Sequence, residues 1–261
     1  MKNIQQKKRF LIIVILLIGT IRIDAFSEDK MTYKIGWEPW KPYQFKNEQR
    51  ELTGLDVELG KAIIHKMNCT TKYIKLPWLR QLAYVRQGTI DMVAGASKTS
   101  ERQVYAYFSN FYRNESNVIF VLKGTTKKYP FKHLSEIKNT RFHLGITNGY
   151  HYGETFAELM KDATFKKHIQ GVPSDNVNIK KTLRNRVHGF IGDIYAGIAA
   201  LKKEGVRDQF EIHPVPVSSS TIHMMFSKKS CTQKDVDLFN IALKQLKENG
   251  HLESIFRKYT N

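Results

Sequence analysis

The sequence predicts an α/β fold, and three observations carry that expectation. Short continuous apolar runs break at glycine and open into small polar residues, the pattern of strands buried on both faces of a parallel sheet. Amphipathic stretches with apolar residues at helical spacing accompany those runs. No internal repeat, low-complexity tract or long linker interrupts the 261 residues, a chain long enough for two modest cores.

Taken in order, YKIGWEPWKPYQF reads as a strand followed by a Trp/Pro-rich loop. TGLDVELGKAIIHKMN follows as a helix, with Asp56 placed to cap it and Leu59, Ile63 and Ile64 on its apolar side. WLRQLAYVRQGTID begins at Trp78 and sets Trp78, Leu82 and Val85 at helical spacing. It leads into the most informative segment, residues 88–109, where Met92-Val93-Ala94 is a strand core that breaks at Gly95. Ser97, Thr99 and Arg102 then fall just beyond a strand's carboxyl end, where ligands of open α/β sheets sit. Hydroxyls, free amides and one guanidinium there suit a small anion, because the guanidinium fork matches a carboxylate. The same residues also fit a plain strand-to-helix loop whose Ser and Thr cap the next helix and whose Arg is solvated. Downstream, FHLGITNGYHYGETF is a strand, a glycine turn and a helix start, and free amides at a helix start favour an anion. HGFIGDIYAG ends another apolar strand at Asp193, a residue type that also caps helices well.

The N-terminus carries a basic segment, MKNIQQKKR, and an unbroken apolar run from Phe10 to Ile18. That run is short of the about 20 apolar residues that a membrane helix needs. A signal peptide with an A-x-S site at Ala25 and Ser27 is expected, so that the mature chain starts at Glu28. An uncleaved anchor fits the length less well, and no nearby cysteine offers a lipid anchor. The formal charge is +18. Residues 1–27 hold five basic residues (Lys2, Lys7, Lys8, Arg9, Arg22) and one acid (Asp24), which leaves +14 on the mature chain. Lysines are spread over every segment, with no zinc-ligand spacing or RNA-binding aromatic motif, so nucleic acid is not an expected partner. The charge favours solubility and anionic surfaces.

From WEPWKPYQF to ENGHLESIFRKY the segments run in one collinear order that strongly resembles the family 3 extracellular solute-binding proteins, the periplasmic receptors of polar amino-acid ABC importers. The resemblance implies a type II periplasmic-binding-protein fold, two α/β lobes with a ligand cleft between them. Residues 1–27 would be the signal peptide, residues 32–112 plus 218–261 the first lobe, and residues 113–217 the second. The crossovers would lie near FYRNE and PVPVSSS. The implied protein is a periplasmic monomer without cofactor or metal that closes on a small zwitterion, of the amino-acid type, and delivers it to an ABC permease in the inner membrane. Cys69 and Cys231 would share the first lobe in an oxidising compartment, which implies a Cys69–Cys231 disulfide; two separate buried thiols are the alternative.

The resemblance also assigns a ligand site. Trp40 matches an aromatic position that stacks on the ligand side chain, and Trp78 a second one on the other face, although a core tryptophan also fits there. Trp37 stands where many members carry an acid, and the adjacent Glu38 is expected to replace it. Gly95 and Ser97 match positions that turn a carbonyl and a hydroxyl toward the ligand, and Arg102 the arginine that clamps its α-carboxylate. Gly149 matches the turn glycine of the second lobe. Tyr150 and His151 depart from the small hydroxyl residues that commonly follow it, so their bulk narrows the pocket or moves the ligand. Asp193 matches the aspartate that binds the α-ammonium.

Enzyme patterns are sparse. Neither G-x-S-x-G nor H-E-x-x-H occurs, and the nine histidines are scattered. Ser135 to Lys138 spells S-x-x-K and Ser174 to Asn176 spells S-D-N, but no K-T-G follows. The same scaffold hosts periplasmic prephenate and arogenate dehydratases, in which case His151, Asp193 and Glu38 would be the acid–base candidates. A stand-alone sensory receptor is the third alternative. The sequons at Asn68 and Asn114 are expected to be idle behind a bacterial-type export signal.

Overall fold

Strand β1 (Thr32–Trp37) buries Tyr33, Ile35 and Trp37, and enters the core as the expected apolar run. A computed structural model describes residues 31–260; the expected signal peptide, residues 1–27, lies outside the described residues. The Trp/Pro-rich loop runs into a small hairpin, β2 (Phe45–Lys46) with β3 (Leu52–Thr53). Helix α1 (Leu55–Lys66) then buries Leu59, Ile63 and Ile64 as their spacing requires. Its N-cap is Gly54, not Asp56. Asp56 lies inside the first turn, and its carboxylate is taken by Arg113. A buried guanidinium is the stronger competitor for that carboxylate than two backbone amides.

Strand β4 (Thr70–Lys75) pairs with β1 in parallel. Helix α2 (Trp78–Gln87) closes on a left-handed Gly88. Strand β5 (Met92–Ser97), short helix α3 (Ser100–Gln103) and β6 (Ala106–Phe108) follow. The long β7 (Arg113–Leu122) leads through α4 (Thr125–Lys128) to β8 (Leu144–Thr147). Next come α5 (Glu154–Leu159), α6 (Ala163–Lys166), β9 (Ile169–Val172), α7 (Asp175–Leu183), β10 (Gly189–Asp193) and α8 (Ile194–Lys203). Strand β11 (Phe210–Ser227), then α9 (Gln233–Glu248) and α10 (His251–Thr260), complete the described chain.

One sheet threads these strands in the order β4-β1-β5-β11-β7-β10-β8-β9, with β6 added on β11. The β7 and β11 strands are its spine. They run antiparallel from Ile222↔Arg113 to Phe210↔Leu122, and their register shifts between His213 and Ser218. Pro214 and Pro216 lie in that gap, and a proline has no amide to give a ladder. Buried side chains gather at both ends of the spine. Ile35, Leu59, Ile63, Phe226 and Phe239 pack together at one end, and Phe142, Leu144, Phe165 and Ile191 at the other.

The expected disulfide is corrected. Cys69 and Cys231 belong to the same core but are not joined. Each sulfur is turned to a backbone carbonyl instead, Cys69 to Met67 at 3.4 Å and Cys231 to Asp91 at 3.6 Å. Burial pushes the Cys231 thiol up to about 12, and only the thiolate is reactive. Unfolded, unreduced protein should therefore titrate two thiols, and Cys231 should react with iodoacetamide after unfolding but not before. Mass mapping of the alkylated peptides checks both.

Candidate functional site

The loop after β1, the start of α2, the end of β5 and the turn after β8 converge on one cavity between the lobes. It is lined by Glu38, Trp40, Trp78, Gly95, Ser97, Arg102, Tyr150 and His151, together with Gln44, Gln81, Ala94 and Glu115. Its volume is about 30 Å³, room for about two water molecules. Eight of the ten residues assigned from sequence therefore border one space. Gly149 is not part of the lining, but its carbonyl accepts from two residues that are, Trp78 and Arg102. Asp193 is set behind the cavity wall and linked to it through Tyr43.

Arg102 is 7% exposed. Its guanidinium donates to the Ser97 carbonyl at the end of β5 and to the Gly149 carbonyl in the turn after β8, both at 2.9 Å. It also lies 5.5 Å from the Trp78 ring centre. Burial holds its basicity below the usual range. Thr99 caps α3 and accepts from the Arg102 amide, so the capping and site readings of this loop coexist.

Two glycines shape the site. Gly95 has φ +77°, and a Cβ there would stand 2.9 Å from the Trp40 ring. Gly149 has φ +81°, and a Cβ there would meet a Leu79 methyl at 2.4 Å. Both positions need left-handed backbone and close approach, which glycine alone supplies cheaply.

The tryptophans do not face each other across open space. The Tyr150 ring stands between them, 6.3 Å from Trp40 and 6.2 Å from Trp78, edge-on to each. Its hydroxyl donates to Glu38 over 3.4 Å. The other Glu38 oxygen accepts the Trp78 amide at 3.1 Å. Burial pushes the Glu38 carboxyl up to about 7. Trp37, by contrast, is buried at the end of β1. His151 pairs with Glu154 at 3.7 Å, and burial followed by Arg102 holds its imidazole below the ordinary histidine range.

Asp193 caps α8, with Oδ1 accepting from Ala196 at 2.8 Å and from the Tyr43 hydroxyl at 2.9 Å. Its Oδ2 is buried and has no hydrogen-bond partner among the described residues. Burial raises its carboxyl above the ordinary range.

Sequence reasoning missed Tyr43, Gln44, Gln81, Arg113 and Glu115. Arg113 pairs with both oxygens of Asp56, at 3.0 and 3.3 Å, and its guanidinium lies 3.7 Å from the Tyr43 ring centre. Glu115 accepts from Asn117 at 3.2 Å and stands 3.6 Å from Arg113; burial pushes its carboxyl up to about 7. A signal for this group exists in the chain. Arg113, Glu115 and Asn117 alternate along FYRNESN, and alternation on a strand puts all three on one face.

A sequence profile described as bacterial extracellular solute-binding proteins, family 3, matches residues 33–261. The arginine-binding periplasmic protein of Mannheimia haemolytica is 26% identical over 248 residues, covering 94% of this chain and 95% of its own. The histidine-binding periplasmic protein of Escherichia coli (strain K12) is 24% identical over 259 residues, covering 97% of this chain and 96% of its own. Among solved structures, an ancestral arginine-binding protein bound to arginine is similar with a TM-score of 0.76 and 23% identity, over 89% of this chain and 99% of that one. This last likeness shows the fold.

Glu38 yields a pH test with a defined sign. Its folded value is raised, from 4.5 to about 7, so the folded state keeps a proton that the unfolded chain releases. That contribution is present at low pH and lost as pH rises through this window. Relative to Glu38→Gln, the wild type should lose on the order of 2 kcal/mol between about pH 5 and about pH 8. Urea unfolding at the two pH values measures the difference, and an unchanged gap would rule the assignment out.

Proposed function

This chain belongs to the bacterial extracellular solute-binding proteins, family 3, and from that premise we propose that it is an exported receptor that closes on a small amino acid and delivers it to an inner-membrane ABC permease. The observation that carries the reading is the state of Arg102, buried between the lobes with backbone carbonyls of both as its acceptors. A charge out of water without a counter-ion is costly. A ligand carboxylate offers the charge-assisted, two-point contact that a carbonyl cannot. The second charge of a zwitterion suits Asp193, whose Oδ2 is buried and has no hydrogen-bond partner among the described residues. The names of the relatives, which bind arginine and histidine, support an amino acid as ligand.

In this proposal residues 32–112 with 218–261 form one lobe, residues 113–217 the other, and the paired β7 and β11 strands carry the crossovers. Arg102 and Asp193 then grip one molecule from two sides, and the ligand favours closure through contacts that only the closed form makes. Closure is the state read by the permease. Residues 1–27 serve as the export signal, the address is the periplasm, and the receptor acts as a monomer. A dehydratase on this scaffold is not favoured, because relatives that match over most of the chain are named as binding proteins.

Thermal melting of mature protein, refolded to strip carried-over ligand, against the amino acids is the direct test. Ligand at 100 times its dissociation constant should stabilise by about 2.7 kcal/mol. Arg102→Ala should abolish that shift and keep a cooperative melt. An unchanged affinity in the variant would overturn the clamp role.

A further inference from the structure

Three histidines stand side by side where three neighbouring strands begin. His188, His143 and His168 immediately precede β10, β8 and β9, which lie in that order in the sheet. The parallel registers Gly189↔Leu144 and Leu144↔Ile169 put the three in line. Their rings are stacked, His143 lying 5.8 Å from His188 and 5.5 Å from His168, centre to centre. The Tyr129 ring stands 5.1 Å from His188 and the Phe142 ring 5.5 Å from it.

Backbone and rings interlock. The His143 amide donates to His188 Nδ1, and the His188 amide to the His143 carbonyl, both at 2.8 Å. His168 Nδ1 donates to the Phe142 carbonyl at 2.8 Å, and the His168 carbonyl accepts from Leu144. A ring nitrogen that accepts an amide N–H carries no proton, which fixes His188 as the neutral Nε2–H tautomer. Protonating Nδ1 would set donor against donor at the start of β8. His143 Nδ1 is buried and has no hydrogen-bond partner among the described residues, so no acceptor waits there for a proton either.

The surroundings offer no counter-charge. Burial, then His143 and Lys128 of α4, hold the His188 imidazole below the ordinary histidine range. Arg141, Lys166, Lys167 and Arg186 flank the rank as exposed cations. The acids of the neighbouring elements are engaged elsewhere. Asp162 pairs with Lys138 at 2.9 Å and caps α6, Glu136 accepts from Lys132, and Glu211 accepts from Gly124 and Thr126. Lys181 of α7 is bonded to Gln170, and His213 of β11 to the Tyr129 carbonyl.

We propose that this histidine rank is an acid-released latch, which holds the starts of β8, β9 and β10 in line while its imidazoles are neutral. A proton on His188 drives its ring off the His143 amide and sets a charge against the neighbouring rings. It thereby loosens the strands at whose other ends Gly149, Tyr150 and Asp193 stand. An opened chain accepts the proton that the closed latch refuses. The latch therefore holds above the ordinary histidine value, about 6.5, and is lost as pH falls below it. None of this depends on which ligand the cavity takes.

Amide hydrogen exchange of the purified protein, read residue by residue by NMR and corrected for intrinsic rates, tests the latch. Protection of the His143, Leu144 and His188 amides should fall by about tenfold or more between about pH 7 and about pH 5, while that of Ile35 in β1 holds. Proton–nitrogen correlation spectra of the rings should show His188 in its neutral Nε2–H form at neutral pH. His188→Asn keeps an acceptor near the Nδ1 position and cannot titrate, so it should retain its protection in acid. The opposite pH dependence of Glu38 is common to both proteins and cancels from the comparison. Level protection in the wild type, or a His188 ring with its proton on Nδ1 at neutral pH, overturns the proposal, and so does an equal loss in His188→Asn. The two wild-type readings decide even if the variant fails to fold.

Discussion

The cleft is organised by a guanidinium buried at the root of β7. Arg113 is held by both oxygens of Asp56 from the first turn of α1, and its face lies 3.7 Å from the Tyr43 ring centre and 5.2 Å from that of Trp40. Burial alone would lower its basicity, but Asp56 more than offsets this, and the group is held well above its ordinary value. Breaking such a pair by removing one partner costs about 3–5 kcal/mol, whereas the intact pair adds little over a well-packed apolar contact. Its effect is therefore positional. It fixes the loop that carries Trp40, and through the Tyr43 hydroxyl it reaches Asp193 at the end of β10.

Arg102 is the contrasting case. Arg113 is neutralised from within, held by both oxygens of Asp56 with Glu115 3.6 Å away. Arg102 is buried just as deeply but accepted by carbonyl oxygens alone. Two buried arginines thus have different surroundings, one held by a carboxylate and one by backbone carbonyls, and the second is the one proposed to take an anion. The difference lies in which acidic side chain the fold brings near each.

In the proposed receptor, a ligand would compete with contacts that the cavity residues already make with one another. The Gly149 carbonyl receives Arg102 and Trp78, and the Tyr150 ring fills the slot between the tryptophans. Affinity is then a difference between contacts exchanged, so a ligand must outbid protein groups that already satisfy much of the site. The bulk of Tyr150 makes that exchange a property of this chain.

Much of this was legible in order and composition. The apolar runs of β1, β5, β8 and β10, the spacing of Leu59, Ile63 and Ile64 on α1, and the Gly95 break all follow from local preference and periodicity, which act over a few residues. The glycine turn at Gly149 and the strand end at Asp193 were legible for the same reason. What the residues do to one another was not. Asp56 reads as a cap until Arg113, 57 positions away, claims its carboxylate. Cys69 and Cys231 read as a bridge until packing turns each sulfur to a carbonyl of its own surroundings. Glu115 reads as part of a connecting segment until the pairing of β7 with β11 turns it toward the cleft. The sequence by itself determined the class of fold and the residues available for a site, because strands, helices and turns are local decisions. Only the tertiary structure decided which charges are paired and which are left in search of a partner, because burial and charge pairing depend on neighbours that the chain brings together from afar.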